Sequence, residues 1–329
     1  MMGREAMLGD AAAVEPAMKP RLGFRQRTSS DAESAAVGLY RRFSLMIVVA
    51  ALLVAVLLFL VTDVAFDPAG MGMAMLLLAV TTAGTLCRWT NPWLRRVGDA
   101  CGMMGLTWTM ALAGGFISLL GLRLRLPLAD DALLRADRWL GVDGPQWIAA
   151  FLTRADWPAM VTMSYNHTVP VLTLSLAAQA LAGCRAEAWR AAFCFAASLL
   201  TVCLVSILTP ARGLGMWLTD ATLAQLPGGA ARYFWPSFDR FYSGGGDAVL
   251  TLAAIDGVVS FPSFHTVMGL ITLGLWRHSP IGFGLALAWF VQMMAGTMPL
   301  GGHYFVDLLG GLGVWALWFA VSRRVERQH

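Results

Sequence analysis

The chain has 329 residues, 57% of them hydrophobic and 13% charged, with a mean hydropathy of +0.63. Soluble domains carry roughly 25% charged residues, so this balance excludes a soluble globular protein. The net charge of +4 and pI near 9.0 do not indicate nucleic acid, because no basic run is interleaved with exposed aromatics and arginines flanking membrane spans account for the excess.

Residues 1–43 are Ala-rich and polar, with Arg4, Lys19, Arg21, Arg25 and Arg27 ahead of Arg41 and Arg42. They are expected to form a disordered cytosolic tail. A signal peptide would place its apolar core close to the start, whereas here the apolar run begins near Ser44. From that point the apolar residues fall in blocks of the length that crosses a bilayer, about 20 residues of helix. The fold class is therefore all-α, a polytopic membrane helix bundle. Its eight predicted spans are 44–65, 71–88, 99–121, 158–182, 187–209, 261–277, 281–298 and 303–322.

Arginine placement orients the bundle. The short connections holding Arg88, Arg95, Arg96, Arg185, Arg190 and Arg277 are basic, while the two long segments 122–157 and 210–260 mix arginine with aspartate. Both termini are expected in the cytosol and both long segments outside, in the inner membrane of a bacterium. Segment 122–157 has apolar residues at helical spacing and is expected to lie along the outer interface as one or two amphipathic helices, or else to be a solvated connector. In the fourth span, MSYNHTVP holds Tyr165, Asn166 and His167, and Pro170 is expected to kink the helix. Tyr165 and Asn166 are candidates for binding a head group, and His167 for an interhelical hydrogen bond. Segment 210–260 carries Gly228–Gly229 and Gly244–Gly245–Gly246 around ARYFWPSFDRFY. This is read as a loop packed on the bundle, with an interfacial aromatic belt as the other reading. Five cysteines in scattered positions give no disulfide framework and no zinc pattern.

The chemistry lies in two stretches. GVVSFPSFHTVMGL at 257–270 puts Ser263 and His265 at the head of the sixth span. GTMPLGGHYFVDLLGG at 296–311 puts His303 and Asp307 at the head of the eighth. The last two are four residues apart, on one helical face. A carboxylate beside an imidazole fixes its tautomer and raises the basicity of the other nitrogen. Ionisable groups within spans cost about 2.5–3.5 kcal/mol each on insertion scales, which makes them functional candidates. Both spans run in the same direction, so the two histidines are predicted at one depth. Each motif also opens a helix, where free N–H groups and the dipole favour an anion. Gly301 and Gly302 would let backbone approach a ligand closely. Together these features point to phosphate chemistry.

PSFHT at 262–266 and HYFVD at 303–307 resemble the second and third signatures, PSGH and SRxxxxxHxxxD, of the type-2 phosphatidic acid phosphatase superfamily. The resemblance implies a six-helix catalytic core, here within residues 99–329, with residues 44–98 as a two-helix extension. It also implies roles. His303 would be the nucleophile that becomes phosphohistidine, Asp307 its orienter, His265 the acid and then base, and Ser263 a phosphate ligand. No metal or other cofactor is implied. Where the third signature has arginine, this chain has Thr297, and the first signature, KxxxxxxRP, is absent; Arg212 in LTPARGLG is the candidate replacement clamp. FPSFH with GGHYFVD more closely resembles the inositol phosphorylceramide synthase branch. That branch implies a glycerophospholipid donor and a lipid hydroxyl acceptor such as ceramide, with a lipid phosphate phosphatase as the alternative. A proton-coupled transporter is the competing class, but a relay would spread ionisable groups over several depths. A purely structural membrane protein gives no reason for the His–Asp spacing.

Overall fold

The computed structural model describes residues 30–69, 71–86, 90–153, 157–243, 248–252, 255 and 257–328. The basic residues of 1–29, Arg88, Arg154, Cys87 and the glycine run at 244–246 lie outside these. Among the described residues the chain is almost entirely helical. Five helices are long and apolar enough to cross a membrane: α1 (Ser30–Val61), α3 (Pro92–Leu122), α8 (Arg185–Leu208), α12 (Pro280–Gly301) and α13 (Phe305–Gln328). Shorter apolar helices complete the bundle: α2 (Met71–Leu86), α7 (Thr168–Leu181) and α11 (Phe264–Trp276). Two further helices, α4 (Asp130–Trp139) and α5 (Gly144–Leu152), follow α3. Then α6 (Trp157–Asn166) leads into α7, and α9 (Asp220–Gln225) and α10 (Trp235–Ser243) follow α8. The strands β1 (Ala65–Asp67) and β2 (Val249–Thr251) pair in parallel, Phe66 opposite Leu250.

Each of the eight predicted spans is matched by an apolar helix, five of them long enough to cross a membrane and three shorter, with corrections to several boundaries. The first helix starts at Ser30, well before the apolar run, so residues from 30 onward are not tail. Val37, Tyr40 and Ser44 are buried at helical spacing, and the Tyr40 hydroxyl donates to the Ser322 carbonyl of α13 at 2.9 Å. Tertiary packing thus carries the helix past the apolar stretch. The third begins at Pro92, because Asn91 accepts from the amides of Trp93 and Leu94 and Pro92 needs no partner there. The fourth predicted span is two helices, broken at His167 one turn before Pro170. The missing N–H of that proline releases the carbonyl four residues back.

The main core joins α1, α3, α7, α8, α11 and α13 around Met103, Leu106, Trp189, Phe195 and Val267. Thus α1, expected as part of an extension, sits within the same core as α8. Close packing of α2 on α3 runs through glycine: a Cβ on Gly84 would strike the Gly102 backbone, and Thr81 and Thr109 hydroxyls meet at 3.1 Å. A second core at one end of the bundle gathers α4, α5, α6 and the segments around Leu214, Ala231 and Leu300. Within it Leu133, Leu134, Ile148 and Phe151 are buried, each worth about 1.5–3 kcal/mol. The solvated-connector alternative for 122–157 is therefore wrong. Loop 210–243 is packed as expected, with Phe234, Phe238 and Phe241 buried against Leu119, Leu120 and Leu122.

Candidate active site

The site forms where the heads of α11 and α13 meet the second core. Helix α12 ends in a left-handed glycine, Gly302 (φ 70°, ψ 21°), and the chain doubles back so that His303 N–H reaches the Thr297 carbonyl. That geometry delivers His303 into the interior within two residues of the start of α13. Its Nδ1 lies 3.2 Å from Asp307 Oδ2. The same oxygen accepts from Ser260 Oγ at 2.7 Å and from the Tyr304 amide at 2.9 Å. Three donors thus converge on one carboxylate oxygen, and Asp307 is fully buried. An imidazole so held keeps its proton on Nδ1 and presents Nε2 as a nucleophile or base.

The ring of His265 stands edge-on to that of His303, with centroids 5.7 Å apart. On its other side it stacks on Tyr165 at 4.2 Å. The hydroxyl of Tyr165 interacts in turn with Tyr233, a half-exposed residue just before α10. Ser263 is the cap residue of α11, and its amide donates to the Asp307 carbonyl at 2.8 Å. Its hydroxyl is buried with no protein partner, as is Asp307 Oδ1. Two unmatched polar atoms beside paired imidazoles are costly unless a ligand or water completes them.

A family model described as the PAP2 superfamily matches residues 131–321, more than half of the chain. The chain belongs to the PAP2 superfamily. No curated protein and no solved structure gives a significant match. With its long apolar helices, this PAP2-superfamily protein is a membrane enzyme of the phosphatase type.

Reasoning from sequence missed what α4 contributes beside the candidate site. Asp130 and Asp137 are seven apart, two turns on one face, and both are buried. Asp130 accepts from the Arg212 and Gly213 amides at 3.0 and 2.8 Å and from the Tyr304 hydroxyl at 2.9 Å. Asp137 accepts from the Phe305 and Val306 amides at 2.8 and 2.7 Å. Charge-assisted bonds of this kind are worth about 1.5–3 kcal/mol each. Burial pushes both carboxyls above the usual carboxylate range and the amides pull them back; the Asp307 charge adds to the push on Asp137. One signal was present in the sequence: Asp130 and Asp137 share a face with Leu133 and Leu134, so acids lie inside an apolar stripe.

Several expectations are corrected. Helix α13 does not offer free amides to an anion, because Asp137 and Asp307 already occupy the first of them. Gly302 brings backbone close to backbone: its carbonyl accepts from Leu214 at 2.6 Å, and a Cβ on it would lie 3.1 Å from the Ala231 carbonyl. His167 bonds through Nδ1 to Met163 of the preceding turn at 2.8 Å, so it makes no interhelical bond there. Asn166 is exposed at the end of α6, whereas neighbouring Tyr165 is buried in the site. The Arg212 guanidinium pairs with Asp239 at 2.5 Å and lies over the Trp235 ring. Its backbone borders the His303 turn through Leu214 and Gly302. Among the described residues no three His, Cys, Asp or Glu side chains gather as a metal site.

Glycines on α13 set the spacing between the two histidine helices. A Cβ on Gly311 would strike the Ser263 carbonyl and lie 3.0 Å from Thr266 Cβ, whereas one on Gly313 would meet open space. Gly313 therefore does not serve close packing. Gly311→Ala is expected to push α11 away, at about 1–3 kcal/mol of stability and about 10²-fold in turnover. Gly313→Ala should change neither. Thermal unfolding and lipid turnover of the two variants check this.

Proposed function

We propose that the protein is an integral membrane lipid phosphotransferase working through a phosphohistidine. The observation that carries the reading is the approach of His265 and His303 from two helices, with the Asp307 carboxylate behind the second ring. In this reading His303 Nε2 attacks phosphorus of a glycerophospholipid, and the bond from phosphorus to the diacylglycerol oxygen breaks. Protonated His265 gives its proton to that oxygen. Diacylglycerol leaves, and the head-group phosphate stays on His303. Neutral His265 then takes the proton of an incoming lipid hydroxyl, whose oxygen attacks phosphorus and releases His303. Asp307 stabilises the positive charge the ring carries while bonded to phosphorus. Ser263 Oγ, buried without a partner, is assigned to a phosphate oxygen.

An inositol phosphate-like head group and a ceramide-like acceptor are favoured by the FPSFH and GGHYFVD motifs. The scarcity of cations supports transfer of a diester. Thr297 stands at the superfamily arginine position, and Arg212 is engaged by Asp239. A phosphodiester carries about one negative charge, a monoester nearly two. Proton-coupled transport is disfavoured by the gathering of the titratable rings at one end of α11 and α13.

Purified protein in vesicles with labelled phosphatidylinositol should form a labelled sphingolipid only when ceramide is present, as read by thin-layer separation. Release of inorganic phosphate from phosphatidic acid, without transfer, would replace the transferase reading by the hydrolytic one that the superfamily also accommodates.

A further inference from the structure

The start of a helix is a place for anions, because its first amides lack partners and carry the positive dipole end. At α13 that place lies two residues beyond His303 and is filled by the chain itself. Asp137 crosses from α4 and accepts both the Phe305 and Val306 amides. Two turns earlier on the same face, Asp130 does the same to the Arg212 and Gly213 amides. Two sets of backbone amides bordering the His303 turn are thus capped by carboxylates. The head of α11, with the unpartnered Ser263 hydroxyl, is left for the ligand. A second negative charge on the phosphate would face Asp137 where it would otherwise find amides.

We propose that Asp137 is a specificity-determining and positioning residue: by occupying the N-terminus of α13 it restricts the site to phosphodiesters and rejects phosphomonoesters. The proposal rests on the phosphoryl-transfer reading above. It adds a cause for substrate choice that lies in α4, outside both histidine motifs. Asp137 acts through the position of α13 and through its charge, without bonding to substrate.

The test compares wild type, Asp137→Asn and Asp137→Ser in vesicles. It measures kcat and KM for phosphatidic acid and for the best of phosphatidylinositol, phosphatidylglycerol, phosphatidylethanolamine and phosphatidylcholine. Wild type should favour the diester. Removing the charge should lower KM for phosphatidic acid and reduce the diester-to-monoester ratio of kcat/KM by about tenfold or more, the scale of one unit charge at protein distances. A ratio that stays fixed while both activities fall together would show Asp137 to be only a helix cap and overturn the proposal. So would a wild type that prefers the monoester, which decides the matter even if neither variant folds. Wild type that acts on no lipid at all, and forms no phosphohistidine, would instead sink the phosphoryl-transfer reading.

Discussion

Alanine at His303 is expected to abolish lipid turnover, by at least about 10³-fold, and to leave no acid-labile phosphoenzyme. The argument is chemical. His303 is held with Nδ1 against Asp307, and among the described residues no carboxylate stands behind the other imidazole of the site. His265 stacks on Tyr165 and faces His303 edge-on, so it is placed to move protons but has no fixed tautomer. The bundle should survive, because the backbone that delivers His303 is set by the Gly302 turn and not by the ring. Monodisperse protein that retains full turnover after the substitution would remove the nucleophile assignment. His265→Ala should differ in kind: wild-type-like folding, slow turnover, and any phosphoenzyme that forms persisting longer, since the proton acceptor for its breakdown is gone.

The second large effect is expected at Asp307. Asparagine matches its shape and can still accept from Ser260 and the Tyr304 amide, so folding should be nearly unchanged. What disappears is the negative charge beside a ring that turns cationic when Nε2 bonds phosphorus. Loss of about 10³–10⁴-fold in kcat is expected, the range found when a carboxylate behind a catalytic histidine is made neutral. KM should move little, because the carboxylate faces the ring and not the lipid. Comparable kcat with raised KM would make Asp307 a substrate-binding group instead. Ser260 was not recognised as a partner of Asp307 from its place in the chain, yet its hydroxyl is the shortest contact of that oxygen, at 2.7 Å.

The bundle was legible because bilayer spans announce themselves locally. About twenty apolar residues bounded by arginine need no tertiary information, and an apolar helix stands at each predicted position, five of them long enough to cross a membrane. Where boundaries slipped the causes differ: Tyr40 reaching Ser322 across the bundle lengthened α1, while Pro170, within the fourth span itself, divided it at His167. Side-chain neighbours were harder. Tyr165 lies against His265, but that stacking and the link to Tyr233 depend on how α6 packs beside α12 and beneath the loop before α10. Arg212 was chosen for its position in the chain, and its actual partners are Asp239 and Trp235.

By itself the sequence determined a membrane helix bundle and brought His265 and His303 to the same end of it, since helical periodicity and hydrocarbon thickness act on contiguous residues. Only the tertiary structure decided that α4 folds inward to plug two sets of backbone amides with Asp130 and Asp137. Asp130 bonds Tyr304 across 174 residues of sequence, and Asp137 bonds Phe305 and Val306 across 168 and 169. Which buried donors a carboxylate satisfies is settled by chain packing, because the energy of a buried hydrogen bond depends on who is within three ångströms and not on who is adjacent in the chain.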